Sequence, residues 1–209
     1  MWKWQKQLAP AVNAAFQQVD RTQFIPEALA QYAKLDEPLP IGEGQTISQP
    51  YVVAIMVEAL NLKPGHKVLE IGTGSGYETA ILCEVTAQPD QPKGATVYSI
   101  ERIADLASQA ENRLHQLGYF PNLKIGDGAQ GWPEAAPFDA IIVSAAGPKL
   151  SEHWWQQLAE NGRLIAPIAD RKDEQFLWLI TKQDGEAEWN NMGEVRFVPL
   201  LSSLFDTVH

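Results

Sequence analysis

Three glycines at alternate positions, Gly72, Gly74 and Gly76, follow the apolar run Val68-Leu69-Glu70-Ile71 without a break. Glycine takes positive φ without strain and lets a ligand approach the main chain closely. A strand that turns through such residues into a helix also presents the unpaired N–H groups of the helix start. Thr73 and Ser75 fill the places between the glycines. The spacing predicts a bound ligand rather than a plain tight turn. A dinucleotide site asks for Gly-x-Gly-x-x-Gly/Ala, and here the sixth position is Tyr77. Glu70, two residues before the first glycine, would oppose a pyrophosphate and suit a cationic ligand.

Three further segments hold residues able to do chemistry. Glu101, followed by Arg102, ends the run Val97-Tyr98-Ser99-Ile100. A carboxylate there can accept both hydroxyls of a ribose, or it can simply favour a helix start through the helix dipole. Asp127 lies between Gly126 and Gly128, as a turn residue or as a partner for an adenine amino group. The segment Gly42-Glu43-Gly44-Gln45-Thr46-Ile47-Ser48-Gln49-Pro50 carries small and amide donors, and Ser48 or Gln49 could also cap a helix beginning near Pro50.

These segments need a scaffold. Residues 1–33 read as helical, with Pro10 early in the segment or dividing it in two. The prolines and glycines of 35–50 predict a loop without regular structure, and Pro50 suits the first turn of a helix running to about Leu62. Strands are expected at 67–71, 95–100, 122–125, 138–143, 163–167, 175–181 and 186–198. Helices are expected at 76–86, 103–117 and near 151–159. Phe138 to Val143 is apolar on both faces, as in a central parallel strand. The alternation predicts a doubly wound, mostly parallel α/β sheet behind an N-terminal helical segment. One domain is expected over 1–209, with 1–50 as the helical lead and site loop and 51–209 as the core with C-terminal strands. Cys83 is expected as a buried small hydrophobe, and Trp154 and Trp155 as residues that dock a helix.

The 209 residues carry 16 Lys and Arg against 26 Asp and Glu, a formal charge of −10. With no basic run, nucleic acid and anionic membranes are not expected partners. One cysteine and four scattered histidines make a Cys/His metal site unexpected. The N-terminus lacks the apolar core of a secretory signal and no run approaches a membrane span, so a cytoplasmic monomer is expected.

Taken together and in order, Gly-Glu-Gly-Gln-Thr-Ile-Ser-Gln-Pro-Tyr, Val-Leu-Glu-Ile-Gly-Thr-Gly-Ser-Gly-Tyr, Ser-Ile-Glu-Arg, Gly-Asp-Gly and Phe-Asp-Ala-Ile-Ile-Val-Ser-Ala-Ala resemble the protein-L-isoaspartate O-methyltransferase family over roughly residues 22–200. The glycine motif is shared by most Rossmann-like methyltransferases; the Gly-Gln-Thr-Ile-Ser-Gln-Pro segment is more specific. The resemblance implies a Rossmann-like methyltransferase fold. It implies transfer of a methyl group from S-adenosylmethionine, released as S-adenosylhomocysteine, to the free α-carboxylate of isoaspartyl residues in damaged peptides and proteins. It implies Ser48 as the active-site residue. Cofactor contacts are implied at Thr46, Ile47, Glu70, Gly72, Thr73, Gly74, Ser75, Gly76, Glu101, Arg102, Asp127 and Gly128. Substrate contacts are implied at Gln45, Ser144, Ala145 and Ala146, and no metal is implied. Ser144 and Gly147 depart mildly from the family's usual Thr-Ala-Ala followed by proline or alanine. The lead before Phe24 looks short, the loop 87–94 long, and the tail 202–209 additional. Rival readings are a methyltransferase of the same lineage acting on a dedicated peptide or ordinary aspartate, a non-catalytic S-adenosylmethionine-binding adaptor, and a nicotinamide dehydrogenase.

Overall fold

The computed structural model describes residues 2–170 and 174–205. Its N-terminal lead is broken into short pieces rather than one or two helices. A 3-10 turn at Lys3–Gln7 precedes helix α1 (Pro10–Gln18), and 3-10 turns follow at Arg21–Phe24 and Glu27–Tyr32. Pro10 sits in the first turn of α1, where its missing N–H does no harm. Asp20 caps the next turn by accepting from Thr22 N–H at 3.0 Å. Ile25 is forced extended by Pro26.

Residues 35–50 are not irregular. They contain an antiparallel hairpin of β1 (Leu39–Gly42) and β2 (Gln45–Ile47). Its turn residues Glu43 and Gly44 both have positive φ, 52° and 67°, as a twisted two-residue hairpin turn requires. The glycines that suggested a structureless loop are what allow the hairpin.

Helix α2 (Pro50–Ala59) ends three residues before the expected Leu62. Strand β3 (Val68–Ile71), helix α3 (Tyr77–Val85), β4 (Val97–Glu101), α4 (Ala104–Gln116), β5 (Asn122–Ile125), β6 (Phe138–Val143) and α5 (Glu152–Gln157) follow close to expectation. The last strands, β7 (Leu158–Ala169), β8 (Gln175–Gln183) and β9 (Glu186–Val195), differ in extent: β7 is longer than expected and β9 stops short of Val198. Residues 206–209 of the tail lie outside the described residues.

The seven-stranded sheet has the order β5-β4-β3-β6-β7-β8-β9. Strands β5 to β7 are mutually parallel, while β8 and β9 return antiparallel. Side chains of β3 alternate between the faces: Val68 joins a core with Val12 of α1, Val53 of α2, Ile81 of α3 and Leu114 of α4. Leu69 and Ile71 join an opposite core with Phe138, Ile141 and Trp154. The fold is therefore doubly wound. Cys83 is fully buried, and Trp154 docks α5 by donating its indole N–H to Gly128 O at 2.8 Å. Among the described residues no helix is long and apolar enough to cross a membrane.

One buried cation ties the lead to the hairpin. Arg21 is 3% exposed. Its Nη1 donates to Ala33 O and Leu35 O at 3.1 Å each, and its Nη2 to Glu37 O at 2.8 Å and Ser48 O at 3.1 Å. Arg21→Met keeps the length and removes the donors, stranding carbonyls in a buried site. We predict a loss of about 3 kcal/mol in urea unfolding, with only partial recovery in Arg21→Lys, whose single ammonium cannot match the planar fork. A change below about 0.5 kcal/mol in the Met variant would contradict this.

Candidate active site

The strand order reverses at β3, with β4 on one side and β6 on the other. Crossovers leave in opposite directions there, and a cleft opens beyond the strands' carboxyl ends. It holds about 870 Å³ of empty space, counting the open solvent at its mouth. The glycine turn forms its floor. Gly72 (φ +99°) and Gly74 (φ +52°) leave the main chain bare to the cleft, while a Cβ at Gly76 (φ +84°) would press on Leu114 at 3.2 Å. Gly76 is thus a packing and turn residue and does not line the cleft. Thr73 and Ser99 share a buried hydroxyl–hydroxyl bond of 2.5 Å that pins the turn to β4.

Glu101 ends β4 on the cleft wall, 7% exposed. Its oxygens accept from Gly74 N–H at 2.9 Å and Ile103 N–H at 3.0 Å. Each carboxylate oxygen keeps a further acceptor site, so the group is fixed yet able to receive hydroxyls. Arg102 and Gly128 share the wall.

Besides Gly76, three expected contacts, Glu70, Asp127 and Ala146, are not on it. Glu70 is fully buried beneath the turn, on the α3 side of the sheet, and accepts from the Thr79 hydroxyl at 2.6 Å. The side-chain alternation of β3 sends it away from the cleft. Asp127 accepts from Ala129 N–H at 3.0 Å through one oxygen and from the Ser202 hydroxyl at 2.6 Å through the other. It pins the tail rather than facing the cleft. Ala146 is likewise engaged elsewhere: it pairs with the chain after β9 through Val198 O at 2.8 Å and Leu200 N at 2.7 Å. That pairing lays Val198 to Leu201 along the cleft, a wall the sequence did not reveal.

Gln45, Thr46, Ile47 and Ser48 close the opposite side, and Ser144 and Ala145 line it after β6. Ser48 is not the cap of α2. Asp36 takes that part, accepting from Tyr51 N–H at 2.8 Å. The Ser48 hydroxyl has no partner among the described residues, while its carbonyl is held by Arg21. A second cavity, with about 990 Å³ of empty space, includes Gln49, Arg196 and Phe197. Thr46, Ser48 and Ser144 line both cavities, so they stand on the boundary between them.

The sequence profile of the family described as Protein-L-isoaspartate(D-aspartate) O-methyltransferase matches residues 3–204. The chain belongs to this family. Curated relatives named protein-L-isoaspartate O-methyltransferase include that of Gloeobacter violaceus, 47% identical over 193 residues, which are 92% of this chain and 90% of the relative. That of Methylorubrum extorquens is 49% identical over 191 residues, 91% of this chain and 80% of the relative. A solved protein-L-isoaspartate O-methyltransferase superposes with a TM-score of 0.86 at 30% identity over 96% of this chain, which spans 64% of that longer chain. A crystal structure from Plasmodium falciparum, described as a beta-aspartate methyltransferase in complex with S-adenosyl-L-homocysteine, gives 0.81 at 29% identity over 92% of this chain and 91% of that one.

Within this protein-L-isoaspartate O-methyltransferase frame, Glu78 is the cleft residue that motif reading passes over. It is 7% exposed and accepts from the Ser144 hydroxyl at 2.8 Å. Its other oxygen, and one oxygen of Glu70, are buried without a hydrogen-bond partner among the described residues. Burial pushes the Glu78 carboxyl up to about 7, against the Ser144 bond, which lowers it. Burial, then the neighbouring Glu78, raise Glu70 well above the carboxylate range. Among the described residues no group of three or more His, Cys, Asp or Glu is placed to hold a metal ion.

A carboxyl whose folded pKa is raised binds its proton more tightly folded than unfolded. Its contribution to stability therefore falls as pH rises from about 4.5 through about 7. We predict that Glu78→Gln, without ligand, stabilises the protein at pH 8 by on the order of 2 kcal/mol and gives little gain at pH 4.5. Urea unfolding of both proteins at both pH values checks this, and a pH-independent difference would contradict it.

Proposed function

We propose that this chain transfers the methyl group of S-adenosylmethionine to the free α-carboxylate of L-isoaspartyl residues in peptides and proteins. The resulting ester closes spontaneously to a succinimide, which can hydrolyse to normal aspartate. The observation that carries the reading is Ser48 on the boundary of two cavities, its carbonyl held and its hydroxyl without a partner among the described residues.

The glycine turn fits the cofactor because Gly72 and Gly74 bare their backbone to the cleft. Glu101 is positioned to accept the two ribose hydroxyls, with Arg102 and Gly128 beside it. When bound, S-adenosylmethionine supplies an electrophilic methyl carbon, and bond formation to the carboxylate oxygen breaks the carbon–sulfur bond to leave a neutral thioether. An isolated α-carboxylate ionises at roughly 3.3–3.7, so at neutral pH no residue need take a proton from it. The chain's work is to align the carboxylate and exclude water. Ser48 and Thr46 offer hydroxyl donors on the boundary, and Gln45 and Ser144 flank them. In this proposal the protein acts as a cytoplasmic monomer, without nucleic acid or membrane, in keeping with its net charge of −10. Long-range steering of an anionic substrate is unfavourable at that charge, so recognition rests on these local donors.

Ser48→Ala should slow methyl transfer to an isoaspartyl peptide by about 10- to 150-fold, the equivalent of one lost hydrogen bond to a charged group. The dissociation constant for S-adenosylhomocysteine should stay within about twofold. Equal losses in both would make Ser48 merely structural. Glu101→Ala should raise that dissociation constant by about tenfold or more; an unchanged value in a calorimetric titration would remove Glu101 from the ribose role.

A further inference from the structure

The proposed reaction leaves one cleft carboxyl without a task. Glu78 lies in the first turn of α3, is almost completely buried, and reaches the cleft wall. Ser144 satisfies its Oε1, while Oε2 has no hydrogen-bond partner among the described residues. The ion pairs among the described residues, Lys93–Glu84 and Lys124–Glu134, leave it aside. Behind it Glu70 adds a second buried carboxyl, also with one oxygen unpartnered, and Glu101 adds further negative potential at Glu70. Buried carboxylates are normally paired or hydrogen-bonded. Among the described residues no cation is paired with either carboxyl, and one of the two lines a ligand cleft.

We propose that Glu78 is a cofactor-binding residue, its carboxylate receiving the α-ammonium of the methionine portion of S-adenosylmethionine. The assignment rests on the methyltransferase reading. The chemistry selects the end of the ligand. The cofactor carries two cationic centres, and the sulfonium has no N–H to give. The ammonium has three donors, enough for a carboxylate oxygen that lacks one. The layout of the cleft agrees. Glu101 and Arg102 define one wall, and Thr46 and Ser48 mark the border with the second cavity. Ser144, on that same border, packs beside Gly72 of the glycine turn and holds Glu78 by its hydroxyl. An ammonium there would also favour ionisation of a carboxyl that burial otherwise holds up at about 7. Glu70, which the motif alone put forward for a cationic ligand, stands behind Glu78, whose charge adds to burial in raising it.

The test compares two ligands that share the adenosyl thioether and differ in the amino-acid end. S-adenosylhomocysteine carries the α-ammonium, and 5′-methylthioadenosine lacks the whole amino-acid portion. Calorimetric titration of Glu78→Gln should show the first bound about 10- to 100-fold more weakly than by the parent protein, about the strength of a charge-assisted hydrogen bond. The second should be bound within about twofold of the parent. Equal weakening for both ligands, or an unchanged affinity for S-adenosylhomocysteine, would overturn the assignment. A measurement on the unaltered protein covers the case in which the variant fails to fold. An S-adenosylhomocysteine analogue with hydrogen in place of the amino group should bind at least about tenfold more weakly than S-adenosylhomocysteine, and equal binding would overturn the proposal. Parent protein that binds neither S-adenosylhomocysteine nor 5′-methylthioadenosine would overturn the methyltransferase reading itself, and this assignment with it.

Discussion

The architecture depends on where β3 sits. Because β4 pairs on one side of it and β6 on the other, successive connections leave to opposite faces and cannot cover the carboxyl end of the sheet between them. That gap is the cleft. Several of the segments that line it are held by specific hydrogen bonds. The glycine turn is pinned through Thr73 to Ser99, Glu101 through Gly74 and Ile103, and the chain after β9 through Ala146. Arg21 does the same for the hairpin side by binding four carbonyls, that of Ser48 among them. Glu101 keeps acceptor capacity beyond these bonds, and the Ser48 hydroxyl is uncommitted among the described residues, so both have hydrogen-bonding capacity left for ligands.

Charge is distributed to suit a cationic cofactor and an anionic acceptor meeting at one boundary. Carboxyls gather on the cofactor side, where Glu101 and Glu78 line the wall and Glu70 lies behind. The boundary itself is neutral, made of Thr46, Ser48, Ser144 and Val198, with the hydroxyls of Thr46 and Ser48 as its donors because Ser144 donates to Glu78. Neutral donors can orient a carboxylate without the desolvation that a buried counter-ion would bring. Beyond them the second cavity is lined by one charge of each sign, Arg196 and Glu194.

Much of this was legible from the chain, and the misreadings have physical causes. Strands β5 and β6 are legible to the residue because Pro121 and Gly126 bound the first and Pro137 precedes the mostly apolar run of the second. The Gly72-Gly74-Gly76 turn was legible because positive φ leaves a direct mark in residue type. The hairpin at 39–47 was missed because glycine and proline were read as breakers, when Glu43 and Gly44 supply the turn that pairs the strands. The helical lead was overestimated because its apolar spacing is real but Pro10 and Pro26 interrupt it. Glu70 and Asp127 lie in the right motifs, yet the orientation of each side chain is decided by partners distant in sequence or by the pleat. Arg21 and Glu78 left no motif at all. A lone arginine in an amphipathic segment and a glutamate in a helix's first turn both read as solvated surface charges, and only tertiary packing buries them.

The central claim is that the free carboxylate of an isoaspartyl linkage meets the methyl donor at the Ser48 boundary. The most direct measurement is methyl transfer from radiolabelled S-adenosylmethionine to two peptides of identical sequence that differ only in whether one aspartyl residue is linked through its α- or its β-carboxyl. The account predicts label on the isoaspartyl peptide alone. Equal label on both, or label confined to the normally linked peptide, would contradict it.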